Sequence, residues 1–275
     1  MSYALPIAYA VFTWWFCTGI IFYLDGLPVR TFRWSMLAAT AVLILSIWGL
    51  WNLSDNTASH APFIAFTCGV LAWGWLEISL YMGYVTGPRT KRCMVGCSGW
   101  RHFIHAVEAN LWHELAILAV AFTIVAVSWD GSNQIGMWTF LVLWWMHLSA
   151  RLNVFLGVRN VSEEFVPAHM DVLKGFLTRK PMNLLFPVSV TVLTGVAVVV
   201  FMAATSADTA FETTSLALLG ALLTLGLLEH WLLMLPLPAE KLWRWALSTG
   251  KETTETQADL AKKINQKKLE MVRAG

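Results

Sequence analysis

Seven apolar runs dominate the chain: 5–24, 36–53, 62–85, 103–128, 135–158, 182–205 and 213–236. Each is close to the roughly 20 residues that a helix needs to cross a bilayer. The runs are continuous rather than alternating, so each reads as a helix whose backbone hydrogen bonds close within the segment, as lipid requires. The fold class that follows is all-α: a polytopic membrane protein with seven transmembrane helices. Composition agrees. Of 275 residues 57% are apolar, against 19 Lys and Arg and 17 Asp and Glu. A water-soluble domain of this length could not hide that much apolar surface. The start, MSYALPIAYAVFTWWFCTGIIFYL, has no basic n-region and no small-residue cleavage site, so it reads as a retained first span. Glycines interrupt the third run, and Pro187 in the sixth predicts a kink.

The connections set an orientation. Arg30 and Arg33 follow the first run; Arg89, Lys91, Arg92 and Arg101 follow the third; four basic residues lie between Arg159 and Lys180; and the C-terminal tail is rich in them. NLSDNTASHAP, WDGSNQ and SADTAFETT carry no Lys or Arg. The positive-inside rule turns this alternation into an N-terminus outside, in the periplasm, and a C-terminus in the cytoplasm. Two units are expected: a seven-helix transmembrane domain at 1–238 and a cytoplasmic amphipathic, charged tail at 239–275. Trp34, Trp51, Trp100, Trp129, Trp243 and Trp245 near the run ends read as interfacial anchors. Trp73, Trp75, Trp144 and Trp145, inside the runs, read as packing residues or contacts for an aromatic ligand. Cys93 and Cys97 in CMVGC lack a second cysteine pair and read as ordinary reduced loop thiols.

Ionisable side chains inside spans are expensive and need a reason. The densest set is HFIHAVEANLWHE, residues 102–114, with three histidines and two glutamates. Counting from the basic ends at about 1.5 Å per residue, Glu77 lies roughly 12 Å deep, and Glu108, Arg151 and Glu229 about 9 Å. His113 and His147 lie at about 15 Å by the same count. A helical wheel puts His102, His105, Glu108 and His113 in one sector of roughly 140° and points Glu114 elsewhere, toward another helix or a polar cavity.

Three readings fit such a layer. One is a packing network in which Arg151 pairs with Glu77, Glu108 or Glu229. A second is an iron site, mono- or dinuclear, drawing on Glu77, His105, Glu108, His113, Glu114, His147, Glu229 and His230. The Glu-x-x-His pair of di-iron bundles is absent, since His105-x-x-Glu108 has the reverse order. The third is a tetrapyrrole site, for bacteriochlorophyll or haem, with His113, His147 or His230 as axial ligand and Arg151 as a partner for an anionic group. No phosphate-cradling loop, nucleophile elbow or HExxH is present. Basic groups spread along membrane-surface loops argue against nucleic acid as a partner.

The stretches WWFCTGIIFYLDGLP, TFRWSM, HFIHAVEANLWHE and LWWMHLSARLNVFLGVRN resemble the PuhE family of photosynthetic-complex assembly proteins from purple and related phototrophic bacteria. The resemblance runs through nearly the whole membrane region and weakens in the tail. It implies a multi-pass protein of the bacterial inner, intracytoplasmic photosynthetic membrane. Its partners would be photosynthetic-complex subunits or other assembly factors, with pigment in addition. The implied role is support of reaction-centre and antenna assembly and of bacteriochlorophyll supply. The resemblance brings no catalytic residue and no ligand set. Two classes therefore stay open: an assembly factor with a polar His/Glu pocket in the cytoplasmic half of the bundle, and a membrane metalloenzyme, a di-iron-type oxidoreductase acting on a tetrapyrrole or carotenoid.

Overall fold

The structure, a computed structural model, describes residues 3–93, 96–161, 166–167, 170–237 and 239–247. Seven long helices carry it: α1 (Ala4–Asp25), α2 (Phe32–Leu53), α3 (Ala61–Tyr81), α4 (Gly99–Ser128), α5 (Ile135–Leu156), α7 (Leu185–Thr205) and α8 (Ala210–Met234), with a short α6 (Asp171–Lys174) between the fifth and seventh. All seven long helices are long and apolar enough to cross a membrane. The chain is a multi-pass membrane protein. Among the described residues there is no strand, only an isolated parallel bridge between Val158 and Arg179. Successive spans alternate in direction, so loops 26–31, 82–98 and 157–184 share one end of the bundle, here called the basic end.

Local chemistry marks the helix ends. Thr209 and Glu212 form a reciprocal capping box at the start of α8. Asn183 does the same work for α7: its Oδ1 accepts from the Leu185 and Phe186 amides at 2.9 and 3.0 Å. Its Nδ2 donates to the Gly157 carbonyl at 2.8 Å, tying α7 to the end of α5. The kink expected at Pro187 is not required. Because α7 begins at Leu185, the proline falls in the first turn, where its missing N–H has no intrahelical partner to lose.

α3 is the central helix, packed by α1, α2, α5 and α8, with α7 laid on α8. Phe66, Leu76, Ile117, Ile124, Phe140, Leu218 and Leu222 form the buried core between these elements. Backbones approach closely where small residues meet, as membrane helices do in the absence of a hydrophobic drive between them. A Cβ added at Gly69 of α3 would stand 2.6 Å from the Gly136 carbonyl of α5. The large apolar side chains Ile44, Leu45, Phe122 and Val199 face outward and are exposed, which is the lipid-facing surface.

Two aromatic expectations separate. Trp34, Trp51, Trp100 and Trp129 are exposed near helix ends, as anchors should be. Trp243, expected as another anchor, is buried. Its Nε1 donates to the Trp15 carbonyl and its ring packs edge-on against Trp14, because residues 239–247 fold back along α1. The rest of the expected tail, 248–275, lies outside the described residues.

Candidate intramembrane polar site

α3, α4 and α5 each bring ionisable side chains to a common level. One turn of α5 supplies His147 and Arg151, which stand on the same face by their i,i+4 spacing. Glu77 comes from the last full turns of α3, and His113 and Glu114 from the middle of α4. Glu77, His113 and His147 each offer a ligand atom, and these atoms lie within 4.8 Å of one another. Glu77 and His113 are buried, His113 completely.

Hydrogen bonds run through the layer in a defined order. Arg151 donates to Glu114 Oε1 at 2.8 Å and meets His147 Nε2 at 3.3 Å. A guanidinium only donates, so His147 Nε2 accepts and Nδ1 carries the ring proton in this arrangement. Nδ1 lies 3.4 Å from Glu77 Oε1, within ion-pair distance but without a hydrogen bond between them. The line Glu77–His147–Arg151–Glu114 thus crosses three helices. Three buried atoms of this layer have no hydrogen-bond partner among the described residues: Glu77 Oε1 and both ring nitrogens of His113. Each such orphan costs about 1–3 kcal/mol.

A cavity of about 360 Å³ opens against this line, between α1, α3, α5 and α8. Its lining includes the ionisable Glu77, His147, Arg151 and Glu229 and the apolar Trp14, Trp73, Leu143 and Trp243. The Trp73 ring packs edge-on to His147, centroids 5.1 Å apart. Gly74 also lines the cavity, and a Cβ there would meet nothing within 4 Å. Residues of loop 157–184 close the basic end of the space, held by Asn160, whose amide donates to the Leu233 carbonyl at 2.9 Å.

The remaining residues singled out in the sequence sit elsewhere. Glu108 is 43% exposed and pairs with Arg89 at 3.0 Å, outside the buried layer. The loop folds up onto α4 there, with Gly87 against the Glu108 and Ala109 backbone and the Thr86 carbonyl accepting from the His113 amide at 3.0 Å. α4 has 30 residues, about 45 Å, so its first turns reach past a span-length core. His105 Nδ1 meets two thiols, Cys93 Sγ at 3.2 Å and Cys97 Sγ at 3.3 Å. Burial, then the adjoining Cys97, raise the Cys93 thiol above its ordinary range. His230 is fully buried but occupied: Nδ1 donates to the Gly226 carbonyl at 2.8 Å and Nε2 lies 2.9 Å from Ser149 Oγ. Trp73, read from the sequence as a packing residue or a contact for an aromatic ligand, lines the cavity; so does Tyr81, which sequence did not mark because it does not break the apolar pattern.

The model of a family described as a protein of unknown function, DUF3623, matches residues 1–254. The chain belongs to that family. It is 34% identical over 255 residues to an uncharacterized 30.4 kDa protein in the puhA 5′ region of Rhodobacter capsulatus, covering 90% of this chain and 92% of that one. No solved structure matches it.

Proposed function

We propose that this chain is an integral membrane factor that supports assembly of the photosynthetic reaction centre and antenna and the supply of bacteriochlorophyll. The cavity beside Glu77, His147, Arg151 and Glu229 would hold an amphipathic tetrapyrrole by a polar edge. The observation that carries this reading is the cavity's mixed lining: Glu77, His147, Arg151 and Glu229 among aromatic and aliphatic side chains. Ligand sites are built this way, with a few convergent polar groups in an apolar cleft. The relative's position in the puhA 5′ region, a photosynthesis-gene neighbourhood, supports it, as does the sequence resemblance to PuhE proteins. On this reading the protein works in the bacterial inner, photosynthetic membrane with its basic end in the cytoplasm.

A pigment in the cavity meets His147 rather than His113, because His113 does not line the space. His230 is not free to ligate either, with both nitrogens engaged. A second reading rests on the orphaned His113 and Glu77 atoms: a small metal ion held by Glu77, His113 and His147. This would be one mononuclear set of two imidazoles and a carboxylate, the donor set of non-haem iron sites. For His147 Nδ1 to ligate, the ring proton must move to Nε2, and Arg151 then keeps only Glu114.

The test is complementation of a phototroph lacking this protein. Gly74→Leu fills the cavity without meeting a neighbour at Cβ, so the protein should reach the membrane at wild-type level while reaction-centre and antenna absorption falls several-fold. Normal complexes from a membrane-inserted Gly74→Leu protein would remove the cavity from the function.

A further inference from the structure

A second set of metal-ligating side chains lies outside the buried site, where loop 82–98 enters α4. Cys93, Cys97 and His102 each offer a ligand atom, all within 4.8 Å of one another, and His105 Nδ1 stands 3.2 and 3.3 Å from the two sulfurs. We propose that Cys93, Cys97, His102 and His105 form a Cys2His2 site for a zinc-class divalent ion that staples this loop to α4.

The two sulfur-to-nitrogen distances at His105 are close to those around such an ion. Zinc–sulfur bonds of about 2.3 Å and zinc–nitrogen bonds of about 2.0–2.1 Å give a tetrahedral sulfur-to-nitrogen edge of about 3.6 Å. The two observed edges need a few tenths of an ångström to reach it. His102 and His105 are three residues apart on α4 and so share one side of the helix. His102 Nδ1 is buried with no hydrogen-bond partner among the described residues, a second observation that points to a ligand. The turns that bring the thiols back onto the helix rest on Gly96 and Gly99, with φ of +87° and +63°. Two sulfur and two imidazole donors favour zinc over magnesium or calcium, which take oxygen. The CxxxC spacing carries too little on its own. The missing pair is on the following helix, and only the fold-back of the loop places it opposite the thiols.

The ion would sit at a junction. The His102 ring stacks on Phe155 at the end of α5 and packs on Phe176, with centroids 5.4 and 5.2 Å away. Arg89 pairs with Glu108 and Arg92 with Asp171 of α6, so the same loop also grips the segment that closes the cavity. A staple here fixes the loop against three elements of the basic end.

The experiment is metal analysis of the full-length protein, purified from its native membrane in mild detergent without chelator. The expected result is about one zinc per chain, lost in the Cys93→Ser/Cys97→Ser double variant and kept by His113→Leu. Cobalt(II) exchanged into the native chain should show a thiolate-to-cobalt charge-transfer band and the strong visible bands of a tetrahedral site. Zinc retained by the double variant, zinc lost from His113→Leu instead, or a Cys93–Cys97 disulfide in the isolated protein would each overturn the proposal. If the double variant fails to reach the membrane, a native chain that takes up cobalt without a thiolate band does the same.

Discussion

His113 and His230 are both completely buried in membrane-spanning helices, yet their surroundings are opposite. His230 is satisfied on both sides, by the Gly226 carbonyl and by Ser149 Oγ, which itself lies 3.0 Å from Ser189 Oγ. Asn153 donates to that same Ser189 hydroxyl at 3.0 Å, completing a network that joins α5, α7 and α8. Among the described residues His113 has neither nitrogen paired, and it stands beside another orphan, Glu77 Oε1. Burial and residue type are the same, so the difference lies in what the neighbours offer. One histidine is explained by packing. The other is destabilising in the arrangement seen, and a ligand or proton-sharing role is what would repay it.

The sharpest way to break this comparison is to replace each ring by an apolar side chain of similar reach. His113→Leu removes two unsatisfied buried atoms, so the purified protein should unfold at a higher temperature, by the equivalent of about 1–3 kcal/mol. If Glu77, His113 and His147 hold a metal, the ability to support photosynthetic complexes falls at the same time; with a pigment in the cavity at His147, it stays. His230→Leu should act in the other direction, losing about 1–3 kcal/mol through two broken hydrogen bonds and a stranded Ser149. Complexes should persist in proportion to the folded protein that remains. Thermal unfolding in detergent, read beside complex absorption in the membrane, checks both. Equal destabilisation by the two substitutions would erase the distinction.

A smaller effect is expected at Arg151. Its side chain and that of Glu114 are each about 30% exposed, which reduces what the pair contributes. Arg151→Met should cost about 1–2 kcal/mol after that discount. It should also loosen His147, visible as faster hydrogen exchange in the adjoining turns of α5. The smallest effect belongs to Glu108→Gln. Glu108 is 43% exposed and Gln keeps a hydrogen-bond acceptor for Arg89, so thermal stability should change by less than about 1 kcal/mol. Loss of photosynthetic complexes in Glu108→Gln would return that residue to the working site.

The spans were legible because lipid leaves a helix one way to satisfy its backbone and because apolar length is directly countable. The convergence of Glu77, His113, His147 and Arg151 was legible as a matter of depth. Partner choice was not. A wheel drawn for α4 alone groups Glu108 with His113 and sends Glu114 away, while the structure has Glu114 on Arg151 and Glu108 on Arg89. The reason is the loop before α4. It lies on the helix as far as His113 and captures Glu108 and His105, something no periodicity within the helix records. His230 could not be told from His113 by sequence either. What separates them is Ser149, three helices earlier in the chain.

The most direct measurement is an absorption spectrum, with metal analysis, of the protein purified from its native phototrophic membrane in mild detergent, with the Gly74→Leu variant alongside. A tetrapyrrole band in the wild-type protein that is absent from Gly74→Leu is the predicted result. No tetrapyrrole in either protein, or an equal band in both, would contradict the account, and stoichiometric iron in its place would move the site to the metal reading at Glu77, His113 and His147.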